Sequence, residues 1–402
     1  MTSIRLAHRV TSIRISPSTA AAQKVRELKA AGRDILDLTV GEPDFDTPDP
    51  IKAAGIAAIE AGDTKYTSVN GTIALRQAIR HDYAARLNID CGMDQICVGG
   101  GAKQILFLAL MATVEAGDEV VIPAPYWVSY PDMVVANGGT PVIVRCSEEV
   151  GFKLTPAALE AAITPQTRWL VLNSPSNPTG AAYSADNLRA LAEVLRRHPQ
   201  VLVLCDEIYD RIWFADFPAV SIVTVAPDLK DRALVVNGVS KSYAMTGWRI
   251  GYASGPLTLI NAINKLQSQM SSCPSSISQA AAAFALTGDQ SGVAETVKVY
   301  RARRDRAQAL IDAIPGLSCT LPDGAFYLFP SCKGVIGKTT PEGKLIESDL
   351  DFGLYLLEAA GVASVHGGAY GMEPYFRIST ATSMEVLEAA CDRIAKAVAA
   401  LS

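Results

Sequence analysis

Four histidines, His8, His81, His198 and His366, are all that this chain of 402 residues carries, and no two are spaced for a local metal motif. Chemistry resting on histidine or on a bound metal is therefore not expected, and His198, in RRHPQ, reads as part of an exposed turn. The eight cysteines are scattered with no C-x-x-C pair, which excludes a zinc ribbon and a disulfide framework. No stretch approaches the roughly 20 apolar residues of a membrane span. The run from Ile105 to Val114 suits a buried helix instead. The opening MTSIRLAHRVTSIRIS lacks the apolar core of a secretory leader, so a cytoplasmic enzyme is expected. Basic residues do not exceed acidic ones (36 against 41, net −5), and the electrostatic footprint of a nucleic-acid binder is missing.

What is present is the balance of a soluble globular enzyme, 49% hydrophobic and 19% charged, in a chain long enough for two cooperating domains. The runs DEVVIPAP, TPVIVRC, RWLVLNSP, VLVLCDE, RALVVNG and RIGYASG each read as a short strand ending in turn or polar residues. Helical patterns lie between several of them, such as Ala185 to Arg197 with Ser184 placed as its cap. This alternation predicts an α/β fold with a mainly parallel sheet between helices, where ligands bind beyond the carboxyl ends of the strands. Around Gln290 the pattern changes: a long helix from about Val293 to Ile314, a β-hairpin over SCTLPDGAFYLFP, helices near 350–360 and 384–401, and a strand at PYFRIS. That region reads as a smaller α+β domain joined by the N-terminal segment. The expected division is 1–45 for the arm and part of the small domain, 46–295 for the large domain and 296–402 for the small one. Two nucleotide motifs fail: GVIGKTT has Cys332 where a P-loop needs glycine, and Val98–Ala102 does not fit G-x-G-x-x-G.

Three segments carry the candidate chemistry. In VGGGAKQILFLAL, glycines lead from a strand straight into a helix, which suits a phosphate or an ordinary tight turn equally. In VLVLCDEIYD, Asp206 ends a very apolar strand, where a carboxylate needs a cationic partner; a protonated pyridine nitrogen is one, a helix cap or a structural ion pair another. In NGVSKSYAMTGWRIGY, Lys241 follows a strand between small residues, with Ser240 and Arg249 nearby to hold a phosphate.

Together, the SK-x-x-x-x-TGWR-x-GY block, N-P-T-G and D-E-I-Y resemble the fold-type I, class I pyridoxal-phosphate aminotransferases. The likeness runs from GEPDFDTP to PYFRIS and looks closest to the bacterial aspartate aminotransferase branch that includes prephenate aminotransferases. It implies a seven-stranded large-domain sheet, pyridoxal 5′-phosphate carried as a Schiff base on Lys241, Asp206 on the pyridinium nitrogen, and Tyr209 and Asn177 on the ring oxygen. It implies Trp127 and Ile208 on the two ring faces, and Gly101, Ala102, Lys103, Ser240 and Arg249 around the phosphate. Arg377, with Gly41 beside it, would take the substrate α-carboxylate next to Trp127 and Asn177. Arg14 and Lys103 would take a distal carboxylate. Tyr66 would reach the phosphate of a partner subunit, which makes a homodimer with shared sites.

Ala102 and Gly238 stand where some relatives have hydroxyl residues, which leaves more of the phosphate to backbone and Arg249. The expected reaction is ping-pong transamination of aspartate or glutamate with 2-oxo acids, extending to prephenate. An aromatic or broad-specificity aminotransferase and a pyridoxal-phosphate β-lyase are the competing enzymes. A cofactor-sensing regulator is the competing non-enzyme, with no room for a winged helix ahead of residue 14 and the wrong charge.

Overall fold

The computed structural model describes residues 4–15 and 17–402. Its twelve strands, in chain order, are β1 (Leu36–Asp37), β2 (Ile96–Gly99), β3 (Glu119–Ala124), β4 (Thr140–Arg145), β5 (Thr167–Asn173), β6 (Leu202–Asp206), β7 (Ala233–Gly238), β8 (Gly251–Ser254), β9 (Tyr327–Leu328), β10 (Val362–Ala363), β11 (Val365–His366) and β12 (Phe376–Ser379). Seven form one sheet in the order β2-β8-β7-β6-β5-β3-β4. The pairs from β7 to β4 are parallel, and β8 runs against both its neighbours. The six strand runs read from sequence all belong to this sheet.

The central strands β5, β6 and β7 are nearly all apolar because both their faces are covered, whereas the edge strand β4 leaves Thr140, Ile143 and Arg145 exposed. Val121, Leu170, Leu172, Val203, Cys205 and Val235 pack into one core. Their alternate neighbours Val120, Ile122, Trp169, Val171, Leu204, Leu234 and Val236 pack into another on the opposite face. Period-two alternation thus survives as a choice between two cores, and each buried aliphatic side chain contributes about 1.5–3 kcal/mol. The helix Ala185–Arg197 has the predicted bounds: the Ser184 hydroxyl accepts the Asn187 N–H at 3.2 Å and closes a capping box.

A separate core gathers Leu38, Ala307, Ile311, Leu328, Phe352, Val362, Phe376, Ile378, Leu387 and Ile394. Here β1 pairs with β10, and β12 lies between β11 and β9. The long helix is Ser291–Asp312, two residues earlier than its apolar pattern suggests, since the Asp289 carboxylate accepts the Ser291 N–H at 3.0 Å and starts it sooner. The hairpin expected over 318–330 is closed only at its base, where Ser318 and Ser331 exchange N–H···O bonds at 3.2 and 2.8 Å as an antiparallel bridge. Only Tyr327–Leu328 is strand, and it pairs with β12. The turn at Asp323–Gly324 hydrogen-bonds elsewhere: Phe214 and Ala215 donate to the Asp323 carbonyl, Gly324 donates to Gly180, and Ala325 donates to Ile212. Partners far away in sequence therefore outcompete the local turn.

Candidate active site

Across the carboxyl end of the sheet, Gly99 pairs with Gly251, and Gly251 with Gly238. A Cβ on Gly251 would run into Ala102 of the next helix, and one on Gly238 would lie 3.1 Å from Ile208 Cδ1. This glycine row lets the helix Ala102–Thr113 set its N-terminus directly against the sheet. Gly101, at φ +100°, makes the turn into that helix with the Arg249 guanidinium pressed against it. The Gly101 N–H is taken by the Gly99 carbonyl at 2.8 Å. The free first-turn donors are therefore those of Ala102 and Lys103, at the positive end of the helix. Arg249 donates to the carbonyls of Thr246 (2.8 Å) and Gly100 (3.3 Å), which holds it over the same turn. Ser240 is buried on the loop before it.

Asp206 ends β6, 4% exposed. Its carboxylate accepts the Tyr130 hydroxyl at 2.6 Å and the Ile208 N–H at 3.3 Å, and makes no ion pair among the described residues. Burial raises its pKa, against the pull of those hydrogen bonds and of Lys241. Trp127 packs edge-on against Tyr130, centroids 5.3 Å apart, and the Lys103 ammonium lies 4.7 Å above the Trp127 ring. Burial and then the Arg249 charge lower the pKa of Lys103.

Lys241 Nζ donates to the Gly41 carbonyl at 2.6 Å. Burial first, and the charges of Arg249 and Arg377 after it, bring its amine down to about 8 against the opposing Glu42 and Asp206. Arg377, on β12, is 2% exposed. It donates to Asn177 Oδ1 at 3.0 Å and to the Thr39 carbonyl at 2.5 Å. Its guanidinium lies 4.5 Å from the Tyr327 ring centre and 5.4 Å from that of Tyr370. The Tyr209 and Tyr327 hydroxyls bond each other at 2.8 Å. Burial, with Tyr327 beside it, pushes the Tyr209 phenol up.

Arg377 makes no ion pair among the described residues, and its Nε lacks a hydrogen-bond partner. A buried guanidinium in that condition is poised for an incoming carboxylate. A cleft of about 460 Å³, which Arg377 does not line, brings Arg14, Lys103 and Arg249 together with Asp132. Tyr66, by contrast, stands apart, 89% exposed.

Sequence reasoning passed over Tyr130, Tyr327 and Tyr370, each in contact with a residue it had named. It also missed a buried ionic network behind the site. Asp210 Oδ2 accepts from Arg86 at 2.8 Å and from Asn237 at 2.7 Å, and Asp82 accepts from Arg86 at 3.2 Å and from Arg211. Gln290 Oε1 receives Arg211 at 3.2 Å and the Tyr243 hydroxyl at 2.7 Å. Asp210 and Arg211 follow Tyr209, and Tyr243 follows Lys241 by two positions, so this network ties the two loops together. The one available signal was the charged pair straight after D-E-I-Y.

The model of the family "aminotransferase class I and II" matches residues 33–394. The chain belongs to that family. It is 54% identical over 389 residues to a probable aspartate/prephenate aminotransferase of Rhizobium leguminosarum bv. phaseoli, covering 97% of each chain. It is 52% identical over 394 residues to the aspartate/prephenate aminotransferase of Cereibacter sphaeroides, covering 98% of each. The crystal structure of the aspartate aminotransferase from Rhizobium meliloti superposes with a TM-score of 0.97 at 50% identity over 100% of both chains. That of Thermus thermophilus aspartate aminotransferase with maleate gives 0.91 at 37% identity, over 98% of this chain and 100% of that one. This family member is a transferase, and its cofactor is pyridoxal 5′-phosphate.

The residues present fit that cofactor. Asp206 is a buried carboxylate lacking a cation, and the Gly101 turn is a cradle that a side chain would fill. Lys241 is an amine whose charge is already disfavoured.

Proposed function

We propose that this aminotransferase moves the amino group between aspartate or glutamate and the matching 2-oxo acids by a ping-pong sequence, with prephenate and its amino product arogenate within its range. The observation that carries this reading is a cleft lined by Arg14 and Lys103, a set of cations separate from Arg377, which is buried and has no ion pair among the described residues. One carboxylate needs one grip; a second set of cations suits a second carboxylate. The names of the relatives, and the Thermus enzyme's structure with maleate, a dicarboxylate, support the same substrate class.

In this reading Arg377 takes the α-carboxylate as a fork, with the Gly41 backbone beside it, and Arg14 and Lys103 take the distal one. Trp127 and Ile208 enclose the cofactor ring. The turn at Gly101, Ala102 and Lys103, with Ser240 and Arg249, holds its phosphate. Asp206 pairs with the ring nitrogen, and Asn177 and Tyr209 bond the ring oxygen. When bound, the cofactor supplies an electron sink for charge left on the substrate α-carbon. Lys241 carries the cofactor at rest and, once freed, moves the proton from the α-carbon, a task suited to an amine near 8. The Gly41 carbonyl orients that amine at 2.6 Å.

The working unit in this proposal is a cytoplasmic homodimer. The 89% exposure of Tyr66 leaves it free to reach the phosphate of a partner's site. The division into 1–45, 46–295 and 296–402 goes with it, supported by the separate core around Phe352 and Phe376.

The test is the absorbance spectrum of the holoenzyme after adding aspartate, glutamate, phenylalanine or alanine. Conversion of the yellow band to the pyridoxamine form by aspartate and glutamate, restored by a 2-oxo acid, is the expected result. Conversion by phenylalanine alone would refute the dicarboxylate reading.

A further inference from the structure

Asp206 is held at three points, two of them from its own neighbourhood. Its backbone carbonyl accepts Asn173 Nδ2 at 2.9 Å and the Ser174 N–H at 3.2 Å, from the end of β5 and the turn after it. Its Oδ1 accepts the N–H of Ile208, two residues on, at 3.3 Å. Its Oδ2 is held from elsewhere in the chain, by the Tyr130 hydroxyl at 2.6 Å.

Tyr130 is 4% exposed and shares a core with Ile122, Val171 and Leu204, where a phenol needs a partner. It also reaches Trp127. The Tyr130 N–H donates to the Trp127 carbonyl at 3.0 Å, and the two rings meet edge-on, centroids 5.3 Å apart and planes at 83°. A single turn thus joins the indole assigned to one face of the cofactor ring to the donor on the carboxylate assigned to its nitrogen.

The kind of donor matters. An arginine or lysine at Oδ2 would neutralise the carboxylate and leave little charge for a second cation. A neutral phenol favours the ionised form and leaves its charge uncompensated. Burial raises the Asp206 pKa, and of the influences that lower it the Tyr130 bond is the largest, ahead of the Ile208 N–H and the Lys241 charge.

We propose that Tyr130 is a positioning residue for the cofactor ring: its hydroxyl holds the Asp206 carboxylate ionised and oriented for the ring nitrogen, and its own ring braces Trp127. This rests on the pairing of Asp206 with the ring nitrogen proposed above. A proton between that nitrogen and Asp206 settles on the stronger base, and a donor to the carboxylate moves it toward the ring, where it strengthens the electron sink.

The test uses the holoenzyme carrying pyridoxal phosphate labelled with nitrogen-15 in its ring. The ring-nitrogen resonance is recorded without substrate over a pH series, for the native chain, Tyr130→Phe and Asp206→Asn. Phenylalanine keeps the ring beside Trp127 and removes the donor alone. The native resonance is expected in the protonated position and that of Asp206→Asn in the unprotonated one. Tyr130→Phe should leave the protonated position at a pH about one unit lower than the native chain, a tenfold change in proton affinity and the scale of one hydrogen bond to a charged group. Its kcat should fall about tenfold, with KM for aspartate within about twofold. Tyr130→Phe and native resonances that follow the same pH curve overturn the role of the hydroxyl, whatever the activity. A native-like resonance in Asp206→Asn overturns the pairing and this inference with it.

Discussion

Arg377 and Arg14 carry the same guanidinium and are held in opposite ways. Arg377 sits on a strand, 2% exposed, with fixed acceptors on Asn177 and Thr39 and aromatic rings of Tyr327 and Tyr370 against it. Arg14 sits on an exposed arm, at the edge of an open cleft. A group common to every amino acid can be met by a site fixed in advance, since its position never varies. A group that differs between substrates is better met by a side chain that can be withdrawn, because a rigid cation facing an apolar side chain would be buried without a partner.

The largest expected effect tests the fixed end. Arg377→Ala should lower kcat/KM about 10³-fold or more for aspartate, phenylalanine and alanine alike, the scale of a truncated buried charge contact. Arg377→Lys should recover little, since an ammonium lacks the fork. Steady-state kinetics on the three substrates decide it, and a loss confined to aspartate would erase the contrast.

Arg14→Ala should lower kcat/KM about tenfold for aspartate and glutamate and leave alanine within about twofold. Salt separates the two ends as well. Near 1 M ionic strength, where screening reaches about 3 Å, aspartate should lose much of its advantage over alanine while the shared dependence on Arg377 persists. Equal salt sensitivity for both substrates would mean that the arm contributes no charge to recognition.

Arginine does not deprotonate in proteins, so pH dependence should come from Lys241. Lys241 in the cofactor-free enzyme has an amine near 8. The neutral, reactive fraction falls about tenfold for each pH unit below that value. The initial rate of pyridoxal-phosphate uptake should therefore rise with pH and level off above about 8, followed by the growth of the yellow band. Uptake still climbing at pH 10 would mean that burial does not tune this amine. The smallest effect belongs to Tyr327→Phe, which removes the hydroxyl paired with Tyr209 while keeping the ring under Arg377. About a fivefold loss in kcat is expected, with a shift in the pH at which the bound cofactor changes colour, and little change in carboxylate binding.

The sheet could be read from sequence because strands covered on both sides are nearly continuous apolar runs, and the cap at Ser184 because capping is local. Lys241, Asp206 and Arg377 stood out through motifs on short stretches of chain. Their supports did not. Thr39 meets Arg377 across 338 positions, and Tyr130 meets Asp206 across 76. Tyrosine at positions 130 and 327 reads as core, and only the fold shows which polar group each hydroxyl reaches. The hairpin that closes only at Ser318 and Ser331 has the same origin: Asp323–Gly324 is a good local turn signal, overridden by hydrogen bonds to Phe214, Gly180 and Ile212. Composition likewise gave no warning that Asp82, Arg86, Asp210 and Arg211 would be gathered in one buried network.

The pairing of β1 with β10, and of Arg377 with Thr39, also sets an order of events on the ribosome. Every strand of the seven-stranded sheet lies between residues 96 and 254, and can be in place while the last third of the chain is still being made. Leu36 and Thr39 must wait for partners at 362 and 377. Tyr209 and Asn177 wait as well, since Tyr209 bonds the Tyr327 hydroxyl and packs with Tyr300 and Phe326, and Asn177 accepts from Arg377. A chain cut short near residue 370 would lack β12 altogether, and with it both Arg377 and the strand that joins β9 to β11.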